Sequence, residues 1–304
     1  MRLNHHLDDS SLHDTFQSAY KKGHSTETAP ARIHNDILRA IDDVECVILV
    51  LLHLSAAFDT VDHDILITGL KHRFGITGKA LGWIQSYLSG RTQFVKIGAE
   101  RSSSRNLFCG VFQGSVLGPI LYCMYTSPLT DIVSKHNMNH HFYADDSQIY
   151  LSFKPSAAGE PTTSKLRIES CIHDVNNWMS ANKLMLNHDK TELLVLHARH
   201  RPQPPLESIL VCSDVIYSSN SAKNIGAWFD TVMFMDKQIN SICQSALYHL
   251  RNIAQISKHI SFRHCETLIH TFVTSKIDHY NILGSSAKTP ACPEFSGPTS
   301  NRLT

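Results

Sequence analysis

From Val44 to Leu54 the chain is an almost unbroken run of Val, Ile and Leu, the pattern of a strand buried on both faces at the centre of a sheet. Before it, Ile33, Ile37 and Ile41 recur at helical spacing as far as Asp42. Ser25-Thr26-Glu27-Thr28 supplies the helix start, and Pro30 is tolerable in the first turn. After it come helical patterns at Asp64 to Arg73 and Gly78 to Leu88, with Gly75 and Gly90 as stops, and an alternating stretch, Thr92 to Ile97, that reads as a strand. Lys154 to Ser164 is rich in Pro, Gly, Ser and Thr and reads as a flexible surface loop. It leads to an amphipathic helix near Lys165 to Asn182, with Ile168, Ile172, Val175 and Met179 on one side. Leu193 to Leu196 and Lys223 to Phe229 read as the last strands, and Phe234 to Ile253 and Phe262 to Lys276 as two helices. Beyond Gly284, residues Ser285 to Thr304 lose periodicity and accumulate proline, which predicts a disordered tail.

Between these elements lies the most informative segment, Tyr143-Ala144-Asp145-Asp146, set in the run His140-His141-Phe142 before it and Ser147-Gln148-Ile149-Tyr150 after it. Two short apolar strands pinched around an acidic turn fit this pattern. Repulsion and desolvation both oppose adjacent carboxylates beside an apolar core. Such a turn either holds a divalent cation or is a solvated hairpin tip.

Composition narrows the class. With 304 residues, 42% hydrophobic and 18% charged, the chain belongs with globular proteins of one or two domains. The net charge of +1 limits any grip on a phosphate backbone to a local surface. From Thr231 onward there are 7 Lys and Arg against 4 Asp and Glu, a modest basic excess. The 8 cysteines are scattered without any Cys-x-x-Cys, as suits reduced thiols, and the 20 histidines lack the partners of a zinc site. Charged residues interrupt any signal-peptide core near the start, and the most apolar run, Cys46 to Phe58, is too short to span a bilayer. The expected location is nuclear or cytoplasmic, without a membrane partner.

Four ordered blocks carry a family resemblance: Leu54-Ser55-Ala56-Ala57-Phe58-Asp59-Thr60-Val61-Asp62-His63, Gly110-Val111-Phe112-Gln113-Gly114-Ser115-Val116-Leu117-Gly118-Pro119, Tyr143 to Asp146, and Leu186-Asn187-His188-Asp189-Lys190-Thr191-Glu192. In this order they resemble the reverse transcriptase of non-LTR (LINE-type) retrotransposons, in particular the jockey-like group, from about Asn4 to about Gly284. The resemblance implies an α+β right-hand polymerase palm, an antiparallel sheet with packed helices, accompanied by partial fingers and a small helical thumb. It divides the chain into partial fingers (1–43), palm (44–230, with a fingers insertion around 64–110), thumb-like helices (231–284) and tail (285–304). It also implies that a basic fingers segment and an endonuclease domain found in such polymerases are missing here.

By the same resemblance the activity is RNA-directed DNA polymerisation on an RNA template with a DNA primer and dNTPs, using two Mg²⁺ ions, with Mn²⁺ as a substitute. Two such ions about 4 Å apart repel by roughly 17 kcal/mol at an effective dielectric near 20, so carboxylates must offset them. Asp145 and Asp146 match two of these ligands. The third carboxylate of similar enzymes stands five residues before Phe58, where this chain has His53; a neutral imidazole prefers softer ions than Mg²⁺. Asp59 is too far along an extended strand to substitute, and Asp59, Asp62 and Asp64 are expected to cap the following helix. Phe58, Gln113, Gly114 and Tyr143 match nucleotide-binding positions, Phe58 as the residue that excludes a ribose 2′-hydroxyl and Gln113 and Gly114 as the turn that approaches the nucleotide; Lys190, with Asp145 and Asp146, matches a catalytic position as the lysine near the nucleotide phosphates. Phe112 stands where proline is usual. The expected outcome is a degenerate, impaired polymerase; the alternatives are a non-catalytic nucleic-acid- or partner-binding protein and a translated relic with no selected role.

Overall fold

The apolar run forms the strand Cys46–Leu52, all seven residues of which are buried. It starts two residues later than the hydrophobicity does, because Val44 turns the chain at φ 66 and is 44% exposed. There the Val44 and Glu45 amides donate to the carbonyls of Ile41 and Ala40, closing the helix Thr28–Asp42. The computed structural model describes residues 2–155 and 159–278. The chain divides into two compact units, Met1–Met233 and Phe234–Thr304.

In the first unit, four antiparallel strands form the main sheet in the order Asn139–Tyr143, Asp146–Phe153, Cys46–Leu52, Glu192–Leu196. Leu49 sits opposite Tyr150 on one side and Leu194 on the other. Because strand side chains alternate, Ile48, Val50 and Leu52 face one layer, where they share a core with Ile168, Cys171, Ile172, Val175 and Met179 of the helix Glu160–Ala181. The opposite face is covered by Thr28–Asp42, which buries Ile33 and Ile37 and whose Asp36 accepts a 2.5 Å hydrogen bond from the Tyr150 hydroxyl. Ser25 caps this helix: its Oγ accepts from the amides of Glu27 and Thr28, and Thr28 Oγ1 accepts from the Ser25 amide.

Several expectations need correction. The segment read as a loop up to Ser164 becomes helical at Glu160, and Ser164 is fully buried; Pro161 and the Thr pair suit a first helical turn as well as a loop. Thr92 to Ile97 is not one strand. Arg91–Gln93 pairs with Arg105–Leu107, and Lys96–Ile97 pairs with Glu100–Arg101 around Gly98 at φ 59. Lys223 to Phe229 is a hairpin, Ser221–Asn224 with Ala227–Asp230, because Ile225 and Gly226 take positive φ in the middle of the alternating pattern. The hairpin of Ser208–Val211 with Asp214–Tyr217 was not legible in the alternation at all.

Of the three aspartates expected to cap the helix His63–His72, only Asp62 does so, accepting from the amides of Asp64 and Ile65 at 3.0 Å each. Asp62→Ala should lower the unfolding free energy by about 1 kcal/mol, read as a shift of the urea midpoint at constant slope.

The second unit is helical: Asp236–Ile256, then Phe262–Ile269 running through a wide turn at His270–Thr274 into Ser275–Asp278. The expected tail from Ser285 lies outside the described residues.

Candidate metal and nucleotide site

The acidic turn closes the hairpin between Asn139–Tyr143 and Asp146–Phe153, with Tyr143 paired to Asp146 and Ala144 held at φ 56. A non-glycine residue pays steric energy in that region, so something must hold the turn. Gln17 does. It is 7% exposed, and its Oε1 accepts from the amides of Ala144 at 3.2 Å and Ala19 at 2.8 Å. The adjoining backbone continues the sheet edge: Phe142 N donates to Phe16 O, and Ser18 N donates to Phe142 O. Gln17 carried no functional expectation, since a lone glutamine in a polar segment gives no signal. Gln17→Leu should leave two amides unpaired at a loss of about 1–3 kcal/mol and speed hydrogen exchange at Ala144 ahead of the central strand.

His53 follows the central strand directly. Its carbonyl accepts from Asn187 N at 2.8 Å, and Ser55 N donates to Met185 O, so the segment before Lys190 is stitched alongside it. The His53 ring reaches across to the acidic turn, with Nδ1 2.7 Å from Asp146 Oδ1 and both side chains just over a quarter exposed. This hydrogen bond to Asp146 raises the His53 pKa against the opposing effect of burial, helped by the charges of Asp146, Glu192 and Asp145. Burial pushes the Asp145 carboxyl up and its neighbour Asp146 adds to the rise, while His53 and Lys190 pull it down. His53, Asp145, Asp146 and Lys190 therefore share one electrostatic neighbourhood, although they are spread over more than a hundred residues of sequence.

Phe58 joins this neighbourhood through Tyr122. The two rings stack with centroids 4.4 Å apart at 25°. Tyr122 is buried with an unpartnered hydroxyl, and its pKa is raised far above that of an ordinary tyrosine by burial first and then by Asp145 and Asp146. In the sequence it lies in an apolar stretch that gives it no functional signal. Burial likewise raises Tyr143.

Gln113 and Gly114 belong to a segment laid against the Phe58 block. Gly110 N donates to Val61 O and Val111 N to Phe58 O, laying this segment against the Phe58 block. Gly110 is at φ +88, and a Cβ there would lie 2.9 Å from the Asp59 carbonyl, so close backbone contact requires glycine. Gln113 Nε2 donates to Asp59 Oδ1 at 3.2 Å, which gives Asp59 a role other than capping. Gly114 takes φ +78 with open space on its Cβ side. The Phe112 ring meets Tyr87 edge-on at 5.2 Å instead of fixing the turn as proline would.

As a donor set, the acidic turn offers one carboxylate engaged by an imidazole and one held by burial and its neighbours. Among the described residues no group of three or more His, Cys, Asp and Glu side chains is arranged to hold a metal ion. That set does not meet the oxygen-rich octahedral demand of Mg²⁺.

Comparison with known proteins agrees with this architecture. The chain is 26% identical over 245 residues to a probable RNA-directed DNA polymerase from transposon X-element of Drosophila melanogaster, covering 80% of this chain and 25% of that protein. It is 26% identical over 236 residues to the RNA-directed DNA polymerase from mobile element jockey of the same species, covering 76% and 25%. It thus spans about a quarter of the length of these relatives. Among solved structures, apo telomerase from Candida tropicalis, truncated from its C-terminal domain, superposes with a TM-score of 0.52 at 14% identity, covering 76% of this chain and 43% of that one. That likeness shows a shared fold, and the antiparallel sheet with packed helices is the palm expected from the resemblance. The sequence profile of the family described as reverse transcriptase (RNA-dependent DNA polymerase) matches residues 1–229, so the chain belongs to that family, and its relatives group it with the non-LTR retrotransposon enzymes.

Proposed function

We propose that this chain is a reverse-transcriptase palm whose metal site has been disabled by His53, leaving a protein of polymerase descent with little nucleotidyl transfer in Mg²⁺. One observation carries the reading: the His53 ring occupies Asp146 through a 2.7 Å hydrogen bond where related enzymes place a further carboxylate. Reverse transcriptases use divalent metal ions, and when bound these supply charge neutralisation for in-line displacement at phosphorus. Here Asp145 and Asp146 are the remaining carboxylates of that set, with Mn²⁺ better tolerated than Mg²⁺ by a site containing an imidazole. Phe58, backed by Tyr122, limits the sugar; Gln113 and Gly114 present the turn to the nucleotide; Tyr143 leads the acidic turn; Lys190 faces the phosphates. The natural ligands are an RNA template, a DNA primer and dNTPs. Residues 1–43 belong to the fingers and residues 231–284 to the thumb-like helices, of which 279–284 lie outside the described residues.

Primer extension on an RNA template tests this. The chain as it stands should incorporate at background in Mg²⁺, and His53→Asp should exceed it. Incorporation by the unaltered chain at the rate of His53→Asp, in Mg²⁺, overturns the reading. A second reading, nucleic-acid binding without turnover, is favoured by the charge distribution described next.

A further inference from the structure

The residues between the Phe58 block and the Gln113 turn form an exposed module that the metal site does not use. It consists of the helix Gly78–Leu88 and the two short strand pairs that follow. Residues 78–108 contain five basic side chains, Lys79, Arg91, Lys96, Arg101 and Arg105, against the single acid Glu100. With a whole-chain charge of +1, this module is net +4 and the rest of the chain net −3. The basic excess expected after Thr231 is the smaller one.

The same module exposes aromatic rings instead of burying them. Trp83 is 59% exposed, Phe94 44% and Phe108 82%. Trp83 lies nearly parallel to Tyr87, with centroids 5.9 Å apart at 12°. One turn further along, the Arg91 guanidinium lies 5.7 Å from the ring centroids of both Tyr87 and Phe112, while its Nε donates to the Tyr87 carbonyl. Arg101 covers Phe94 at 3.5 Å. Trp83, Tyr87 and Arg91 thus make a ladder at i, i+4, i+8, ending on the residue before Gln113.

Exposed rings interleaved with guanidinium groups are the surface that unpaired bases require, because every base has a face to stack and every nucleotide a phosphate to neutralise. A protein partner is the other class of occupant for exposed aromatics. Trp83 also walls an open, apolar cavity of about 900 Å³ with Ile76, Ala80, Ile84, Val116 and Leu117. A net charge of +4 beside these rings decides between them, since an apolar peptide gains nothing from it.

We propose that the Trp83–Tyr87–Arg91 ladder is a stacking platform for single-stranded nucleic acid, engaged without regard to base sequence. This rests on the reading that the chain handles nucleic acid, and it does not depend on the metal site. Stacking does not read the sugar, so RNA and DNA strands are both ligands.

Fluorescence anisotropy with labelled mixed-sequence 20-mers, one of RNA and one of DNA, in EDTA tests it. Both strands should bind, with affinity falling steeply as salt rises. Trp83→Ala should weaken binding by about tenfold, with Trp83→Phe restoring most of it. Arg91→Gln should weaken binding and reduce the salt slope by about one. Because Trp83 is 59% exposed, the melting temperature of Trp83→Ala should stay unchanged. If the unaltered chain binds while Trp83→Ala and Arg91→Gln bind equally well, the platform is overturned and the nucleic-acid reading stands. If no single strand binds at low salt, both fall. Salt-indifferent binding, or preference for duplex, also overturns the platform.

Discussion

Acidification from pH 6.5 to about 4 will remove about 3 kcal/mol of folding stability through His141 alone. His141 lies in the edge strand Asn139–Tyr143, is 1% exposed, and has no hydrogen-bond partner on either ring nitrogen. Burial first, then Arg32, His140 and His24, push its pKa down to about 4. The folded state therefore refuses a proton that the unfolded chain accepts below about pH 6.5. Its contribution is fully present above that value and is lost as pH falls to about 4. Burial lowers His140 as well, which steepens the same slope. His53 works in the opposite sense: its folded pKa is raised, so its contribution is complete below the unfolded pKa and fades as pH rises through the folded one. Urea unfolding at pH 7 and pH 4 should show the loss, and His141→Phe should abolish most of it. An unchanged slope in His141→Phe would show that the acid sensitivity lies elsewhere. The strand concerned ends in the acidic turn, so protonation of His141 weakens the support of the site.

The site was legible where chemistry and local pattern coincide, and not where the fold alone joins residues. Continuous apolar character gave the central strand, and the pair Asp145-Asp146 between aromatic runs gave the hairpin. The imidazole at residue 53 was visible because four motif blocks fix the register around it. Its bond to Asp146 was not, since pairing of Cys46–Leu52 with Asp146–Phe153 is what carries the two side chains to the same end of the sheet. Gln17 and Tyr122 were opaque for the same reason: one lies in a polar loop and the other in an apolar helix, and only tertiary contacts give them the turn and Phe58. The hairpins around Gly98 and Gly226 were missed because alternation continues through a tight turn without a break. Asp59 looked like a cap by position, yet Gln113 claims it.

Replacing His53 with aspartate should change the chain's response to Mg²⁺ more than any other single substitution. In the unaltered chain the imidazole donates to Asp146, so the pair is satisfied without a cation. Three carboxylates gathered at the same point repel one another when no cation is present. His53→Asp should therefore melt at a lower temperature in EDTA and recover in Mg²⁺. At a hundredfold excess over the dissociation constant the recovery amounts to about 2.7 kcal/mol. Mg²⁺ affinity should rise by about tenfold or more, since a hard oxygen ligand and a negative charge enter together. The unaltered chain should melt at the same temperature with and without Mg²⁺.

Calorimetric titration of Mg²⁺ into the unaltered chain and into His53→Asp, side by side, tests the proposed loss of the metal site without requiring polymerisation. Saturable binding is expected in the variant, and binding weaker by about tenfold or more in the unaltered chain. Saturable Mg²⁺ binding by the unaltered chain, unchanged or weakened in His53→Asp, would contradict it.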